Sequence, residues 1–412
     1  MNMNKKAVVL ALGLVCGSSA WAADVAHYWV DVATYGSSMP GMEGMGAMAD
    51  MMGGGGGAAT FGLTEMGGGN GRYLDAALQA TQSSSTQATH AVPSGLLGSA
   101  LNLTKKIAAP VQRSDGPTDF SKKPVDFKIK YYWGCAEQAK SGQPKVMSPK
   151  NLNPGAMRNG DASKRGAWGH ALNNLTWPNE QNSTKLSDSA SLVGAHTVSG
   201  DGVPANFNFN LAASHDFLDK ISMSTAGDFK KDAVKVNWNS INNAQAYFLM
   251  AMGAKSDGNA TEMTVWVSSE QQDMGYGLVN YLEPKLIGQY LKQKVVLPTS
   301  TQSCTMPAGI FKDSDMVNIS MIAYGPELNI SYPDTKDKKK IEWDMRLRNK
   351  SVAVTMLMGA QTAGAGSDAG GRNYSAPSST SSSTSSDPTK GTTSPVDGAV
   401  KGAKKLKDLF GF

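Results

Sequence analysis

The chain contains 412 residues, with 39 Lys and Arg against 34 Asp and Glu and a formal net charge of +5 at pH 7. This balance argues against a nucleic-acid-binding domain, which concentrates basic residues on one face. Charged residues make up 18% of the chain and glycines number 45. Such a composition is typical of an exported, turn-rich β protein, so we expect a mainly β fold and no nucleic-acid partner.

A secretory signal peptide is predicted over residues 1–22. Two lysines precede an uncharged apolar run over residues 7–17, which is too short to cross a membrane. The tripeptide Ala-Trp-Ala at residues 20–22 then fits the small-x-small cleavage pattern. The mature chain would begin at Ala23 and reach the periplasm, the outer membrane or the cell surface.

The first predicted unit covers residues 23–225 and is rich in β-strand signals. Aromatic and β-branched residues predict a strand over residues 25–34. Further strands are expected at residues 60–64, 72–81, 126–133 and 207–211. Helix signals are few in this unit, and the best of them is a short one at residues 216–222.

A low-complexity insert interrupts this unit at residues 36–59, where a glycine run disfavours regular structure. Thioether sulfurs are soft ligands that select Cu(I), so methionines in the insert form a candidate copper site. These methionines recur at three-residue steps, at Met39, Met42, Met45, Met48 and Met51. The alternative is an adaptable apolar loop that packs against a partner or lipid.

The second predicted unit covers residues 226–358, where strands recur between turn signals as in a β-sandwich. A hairpin turn is expected at Gly325-Pro326. Strands are expected at residues 234–238, 244–252, 263–268, 294–297, 316–324, 328–332 and 341–358. The predicted fold is therefore mainly β, with two β-sandwich-like units.

Residues 228–333 resemble a fibronectin type III or immunoglobulin-like domain. The likeness rests on Val-x-Val-x-Trp at residues 234–238, on Ala-x-Ala-Tyr at residues 244–247 and on a late strand that ends in Ala-Tyr-Gly. The resemblance implies that Trp238 packs in the sandwich core and that the next strand carries Tyr247. The late strand departs from the family because it lacks a corner tyrosine at its start. The fold implies no activity by itself.

Two cysteines remain after removal of the signal peptide, Cys135 and Cys304. In an oxidising compartment they could form one disulfide that closes a very long loop. Two buried free thiols are the alternative, since cysteine is among the most buried residue types.

No recognisable catalytic set is present in the sequence. There is no Gly-x-Ser-x-Gly elbow and no phosphate-binding loop. The histidines show no metal-ligand spacing and lie at His27, His90, His170, His196 and His215. We therefore expect a protein without enzymatic activity and without a cofactor, apart from the Cu(I) ion considered above. An exported hydrolase is the alternative.

Tryptophan side chains are candidates for stacking on the sugar rings of a glycan. They lie at Trp133, Trp168, Trp177 and Trp266. Trp266 falls on the more polar side of its predicted strand, opposite Met263 and Val265. It is therefore the best candidate for an exposed contact with a ligand or partner.

The chain closes with a predicted linker and a predicted amphipathic helix. Residues 359–397 are mostly Gly, Ser, Thr and Pro, which predicts a disordered linker. Residues 398–412 place Leu406, Leu409 and Phe410 on one helical face and lysines mainly on the other. This pattern favours attachment to a membrane surface or to an envelope protein.

Together these features favour an exported, envelope-associated binding or assembly protein. The alternative from a different class is a periplasmic ligand binder, for Cu(I) through the methionines or for a glycan through an exposed tryptophan.

Overall fold

The structure of the protein is a computed structural model. It describes residues 25–38, 59–67, 69–98, 100–105, 127–148, 163–257, 260–272, 275 and 277–359. The predicted signal peptide, the methionine insert beyond residue 38, and residues 360–412 lie outside the described residues. The described part is mainly β, with one large sheet, one small sheet and short helical segments.

The strands and helices of the described part are labelled in chain order. The strands are β1 Ala26–Ser38, β2 Gly71–Gln79, β3 Gln87–Ala91, β4 Leu101–Thr104, β5 Phe127–Trp133, β6 Lys145–Met147, β7 Leu175–Trp177, β8 Gly194–Gly200, β9 Asn208–Leu211, β10 Met223–Ala226, β11 Val234–Trp238, β12 Ala246–Asp257, β13 Ala260–Val267, β14 Ser303–Met306, β15 Met316–Tyr332 and β16 Trp343–Met358. The α-helices are α1 Leu63–Met66 and α2 Pro284–Gln293. Single 3₁₀ turns lie at Ser163–Arg165, Trp168–His170, Ala213–His215 and Lys338–Lys340.

The large sheet contains thirteen strands in the order β6-β5-β13-β12-β15-β16-β1-β2-β7-β4-β3-β8-β9. The small sheet has the order β10-β11-β14. Strands from both predicted units therefore join in one continuous sheet.

The first and last described strands are neighbours at the centre of this sheet. β1 pairs with β16 in parallel, from Ala26 opposite Trp343 to Ser38 opposite Thr355. Because successive side chains of a strand point to opposite faces, Tyr28, Val30 and Val32 of β1 enter one core. Their neighbours in sequence face the other side of the sheet.

The far end of the large sheet folds back over this first core. Phe207, which directly precedes β9, stacks on Trp343 of β16 with ring centroids 4.3 Å apart. Asn206 donates a hydrogen bond to the Glu342 carboxylate at 2.9 Å. The curved sheet thus encloses an apolar interior between β1, β16 and strands β3, β8 and β9.

The small sheet covers one face of β12, β13 and β15. Val234, Val236 and Trp238 of β11 pack there against apolar side chains of β12 and β15. On the opposite face of the same strands, a second apolar layer includes Ile287 of α2. The central strands are therefore buried on both faces, which explains their continuous apolar character.

Several sequence predictions agree with these elements, and some do not. The strands predicted at residues 72–81, 207–211 and 234–238 are confirmed by β2, β9 and β11. The strand predicted at residues 60–64 is wrong, because Gly62 adopts a positive φ of 97° and opens α1. The helix predicted at residues 216–222 is also wrong, since this segment has no regular structure.

A further prediction fails in the second half of the chain, and one helix there was not predicted. The hairpin predicted at Gly325-Pro326 is wrong because β15 continues through it, with an irregularity between Tyr324 and Glu327. Helix α2 was not predicted, although Pro284 stands in its first turn, where proline is favoured. In the first half, β1 extends to Ser38 and includes the start of the predicted insert.

Candidate functional site

A cluster of buried charges lies on the face of β1 and β16 that points away from the first core. Asp31 of β1 accepts two hydrogen bonds from Arg348 of β16, at 2.6 Å from Nε and 2.7 Å from Nη2. Asp31 is 1% exposed and Arg348 is 2% exposed. The parallel register places these residues directly opposite each other, so the backbone pairing itself sets up the ion pair.

The segment that contains the 3₁₀ turns covers this ion pair. The backbone N–H of Ala167 donates to Asp31 Oδ2 at 2.8 Å. A Cβ atom on Gly166 would lie 1.6 Å from Arg348 Nη2 and 2.2 Å from Asp31 Oδ2. Only glycine fits here, because the backbone itself forms the lid over the two charged groups.

Two more carboxylates join the cluster from β2 and α1. The Asp75 carboxylate accepts the backbone N–H groups of Gly62 at 2.9 Å and Thr64 at 3.1 Å, and also the Thr64 hydroxyl. It thereby holds the first turn of α1 against the sheet. Burial raises the pKa of Asp75 to about 7, although these hydrogen bonds lower it. Glu65 of α1 lies 3.4 Å from Arg348 Nη2.

Lys350 completes the cluster two residues along β16 and is 1% exposed. Its Nζ donates to Asn280 Oδ1 at 3.1 Å and lies 4.4 Å from the ring centroid of Tyr281. The guanidinium of Arg348 lies 4.3 Å from the same ring centroid. Burial lowers the pKa of Lys350 to about 8, and the Arg348 charge acts in the same direction while Glu65 opposes it.

We refer to Asp31, Glu65, Asp75, Arg348 and Lys350 as the buried charge cluster. Removing several charges from water costs free energy that ion pairing only partly offsets. Groups with such perturbed pKa values are found preferentially at functional sites, although structural networks also produce them. The cluster is therefore a candidate site, because it holds a carboxyl group and a lysine amine whose pKa values are shifted toward neutrality.

A second polar group lies in the first core, on the opposite face of β1. Tyr28 Oη is 2.8 Å from His90 Nδ1, and His90 Nε2 is 2.9 Å from His196 Nδ1. His196 Nε2 lies 2.7 Å from the Leu192 carbonyl oxygen. If Tyr28 donates, both imidazoles are neutral and each carries its proton on Nε2, so every ring nitrogen is satisfied. Burial lowers the pKa of both histidines, and that of His90 by more.

An open cleft of about 580 Å³ lies where β1 begins and β2 ends. Amide, hydroxyl and charged side chains line much of it. They include His27, Gln79, Thr81, Gln82, Lys105 and Asn174. This lining suits a polar ligand that forms hydrogen bonds.

The prediction that Trp266 is exposed is wrong. Trp266 is 0% exposed and packs in the core beneath the small sheet. Its Nε1 donates to the Gly134 carbonyl oxygen at 3.0 Å. The polar residues beside it misled the prediction, because Thr264 and Ser268 are buried as well. Trp177 is also fully buried.

Cys135 and Cys304 form a disulfide bond with an S–S distance of 2.02 Å. The bridge connects the segment after β5 to β14, and so ties the large sheet to the small one. The other predicted site residues lie outside the described residues. They are Met39, Met42, Met45, Met48, Met51, Leu406, Leu409 and Phe410.

The buried charge cluster was not recognised in the sequence. Asp344, Arg346 and Arg348 alternate with apolar residues, a pattern that normally marks the solvent face of a strand. The one available signal was the density of charge in β16, which carries Asp344, Arg346, Arg348 and Lys350 within seven residues. A sequence pattern cannot show that other segments cover the charged face.

Searches of protein-family models and of curated proteins find no match to this chain. Within the described ranges, no group of three or more His, Cys, Asp or Glu side chains is arranged to hold a metal ion. In the same ranges, no helix is both long enough and apolar enough to span a membrane.

Proposed function

We propose that this chain is an exported, envelope-associated binding or assembly protein without enzymatic activity. The observation that carries the proposal is that β1 and β16 end at the same edge of the molecule. β1 ends at Ser38, directly opposite Thr355 near the end of β16. The methionine-rich insert, and the predicted linker that leads to residues 398–412, therefore leave neighbouring strands at one end of the sheet.

Both of these segments have sequences suited to apolar contact. The insert contains the methionine series, and residues 398–412 combine Leu406, Leu409 and Phe410 with lysines. Met358, where β16 ends, is 54% exposed and adds an apolar side chain at the same place. This common origin supports attachment to a membrane surface or an envelope protein from that end of the molecule.

The polar cleft lies at the opposite end of β1. It is lined by Val25 and His27, whereas the attachment end is at Ser38. A strand of 13 residues spans about 40 Å. The cleft and the points where the segments proposed for attachment leave the sheet therefore lie at opposite ends of β1, which suits a protein that presents a binding site.

The disulfide supports export, because such bonds form and persist in oxidising compartments. It joins residues separated by 169 positions. The disulfide is therefore consistent with the predicted signal peptide at residues 1–22.

We also propose that the second half of the described chain is a fibronectin type III-like sandwich. Strands β10-β11-β14 face β13-β12-β15-β16 across one apolar core, which makes seven strands in two layers. Trp238 of β11 lies edge-on to Tyr247 of β12 with ring centroids 5.9 Å apart. This contact supports the resemblance, which places Trp238 in the sandwich core and Tyr247 on the next strand.

Cell fractionation tests the attachment proposal. We expect the full chain to sediment with the envelope and a variant lacking residues 398–412 to move to the soluble periplasmic fraction. The matched control lacks residues 376–390, an equal length of the predicted linker, and should remain with the envelope. Envelope association of the variant without residues 398–412 would contradict the proposal.

A periplasmic ligand binder is the second candidate, and the polar cleft favours it. A soluble full-length chain, with a melting temperature raised by a polar ligand, would support this candidate. The methionine series keeps Cu(I) among the ligands to be tested. Anaerobic Cu(I) titration that shows no stoichiometric binding would exclude copper.

A further inference from the structure

Lys350 and Asn280 face each other in the interior without intervening solvent. Lys350 Nζ lies 3.1 Å from Asn280 Oδ1, and the two residues are 1% and 8% exposed. We propose that the lysine amine and the asparagine side-chain amide react with each other to form an intramolecular isopeptide bond. This inference does not depend on the proposed function.

The asparagine is oriented and polarised as an electrophile. Asn280 Oδ1 accepts a second hydrogen bond from the backbone N–H of Tyr281, at 2.8 Å. The Tyr281 N–H polarises the side-chain carbonyl and is placed to stabilise the negative charge that develops on Oδ1 while Lys350 attacks Cγ. Tyr281 itself is fixed, because its hydroxyl donates to the Val32 carbonyl oxygen at 3.0 Å.

The lysine is placed to act as a nucleophile. Its ammonium group lies against the faces of Tyr281 and Tyr35, at 4.4 Å and 5.9 Å from the ring centroids. Burial and the neighbouring Arg348 charge lower its pKa to about 8. At neutral pH about a tenth of the molecules would hold a neutral amine, which is sufficient for a slow reaction that occurs once per molecule.

The reaction needs no oxidant and no external reactant. The Nζ lone pair of neutral Lys350 attacks Asn280 Cγ and forms a new C–N bond, with charge developing on Oδ1. A proton passes from Nζ to Nδ2, the bond from Cγ to Nδ2 breaks, and ammonia leaves. The product is a secondary amide between the two side chains.

We assign the relay of this proton to a carboxylate of the buried charge cluster. Among the carboxylates, Glu65 has the strongest electrostatic effect on Lys350. Glu65 also contacts Arg348, at 3.4 Å from Nη2, which orients it within the cluster. The segment before α2 would become covalently joined to β16, and the bond would lie across a site from which water is excluded.

Peptide mass spectrometry of the purified mature wild-type protein tests the proposal. Trypsin should yield residues 256–285 joined to residues 349–372, because a lysine in an amide bond is not cleaved. The joined species should weigh one ammonia less than its two parts together. Recovery of both regions as separate peptides, with cleavage after Lys350, would overturn the proposal.

Substitutions at the two residues give independent readouts. Lys350→Arg retains the charge but should abolish the joined peptide. Asn280→Asp should still form it, now with loss of water from the two parts. Glu65→Gln should slow its formation in freshly synthesised protein at least tenfold. A control substitution at an exposed lysine, Lys340→Arg, should leave the joined peptide unchanged. A joined peptide that persists in Lys350→Arg would overturn the assignment of the bond to this pair.

Discussion

At the residue scale, this protein buries unusual polar groups on both faces of one strand. Asp31 pairs with Arg348 on one face of β1, and Tyr28 contacts His90 on the other. Each group is nearly inaccessible to solvent. Burial without partners would cost several kcal/mol per charge, so the hydrogen bonds make these positions tolerable. Because these hydrogen bonds depend on the charge of each group, the stability of the surrounding structure depends on protonation.

The histidine pair predicts a pH-dependent stability. The pKa values of His90 and His196 lie below the ordinary value of 6.5 in the folded protein. As the pH falls below about 6.5, the unfolded chain takes up protons that the folded chain does not. The pair's contribution to the free energy of unfolding is therefore complete above about pH 6.5 and is lost below it. The loss is at most about 1.4 kcal/mol per pH unit for each histidine. Urea unfolding at several pH values measures this slope.

Comparison of variants isolates the contribution of His90 from that of other groups. In His90→Gln, the free energy of unfolding should depend less steeply on pH below 6.5 than in the wild type. His215 ends the 3₁₀ turn Ala213–His215 and has a less strongly lowered pKa, so His215→Gln should change the slope in the same direction but less. Identical slopes for the wild type and His90→Gln would show that the pKa of His90 is not lowered in the folded protein.

At the element scale, the 3₁₀ segment acts as a lid over the buried charge cluster. It packs by backbone contact, with Ala167 N–H on Asp31 and Gly166 over Arg348. Trp29 of β1 stacks on His170 at the end of this segment, with ring centroids 3.7 Å apart. The lid is therefore fixed by polar contacts at its centre and by an aromatic contact at its edge.

A methyl group at position 166 should disrupt the cluster. It would approach Arg348 Nη2 to 1.6 Å, so the ion pair or the lid must move. We expect Gly166→Ala to lower the free energy of unfolding by about 3 kcal/mol or more, because it leaves buried charges poorly paired. Chemical denaturation measures the change.

Gly288 in α2 provides the matched control for this substitution. A Cβ there would meet no atom within 4 Å. Gly288→Ala should raise stability by up to about 1 kcal/mol, as expected for alanine inside a helix. Equal effects of the two substitutions would mean that the lid does not pack on the ion pair as described.

At the scale of the whole molecule, long-range connections hold the two sheets together. β1 and β16 lie at opposite ends of the described chain, yet pair along 13 residues. The disulfide links Cys135 to Cys304, with a separation of 169 residues. Of these two connections, only the disulfide persists when the chain unfolds, and it then restricts the unfolded chain over this long separation.

Removal of the disulfide should therefore be costly. We expect the double variant Cys135→Ser and Cys304→Ser to lose about 2–5 kcal/mol of unfolding free energy, through the entropy gained by the unfolded chain. Urea unfolding of the variant and of the wild type under oxidising conditions measures the loss. The wild type with reductant present during unfolding is the control and should approach the variant. An unchanged urea midpoint in the double variant would contradict the expected stabilisation by the disulfide.

Local patterns in the sequence predicted individual strands better than their arrangement. Alternating residues correctly marked β9 and β11, because each has one covered face. Trp266 was misread, and Arg348 was not recognised as buried, for one shared reason: polar side chains in a strand suggest solvent, although both faces of these strands are covered. Which segment covers a strand depends on contacts between distant residues, and no local pattern contains that information.

The sequence by itself determined the mainly β character, the strand positions in much of the chain and the pair of cysteines available for a bridge. These follow from local side-chain alternation and composition. Only the tertiary structure decided that β1 and β16 are neighbours, that five charged side chains share one interior, and that Lys350 faces Asn280. The physical reason is that burial and pairing arise from packing between segments that lie far apart in the chain.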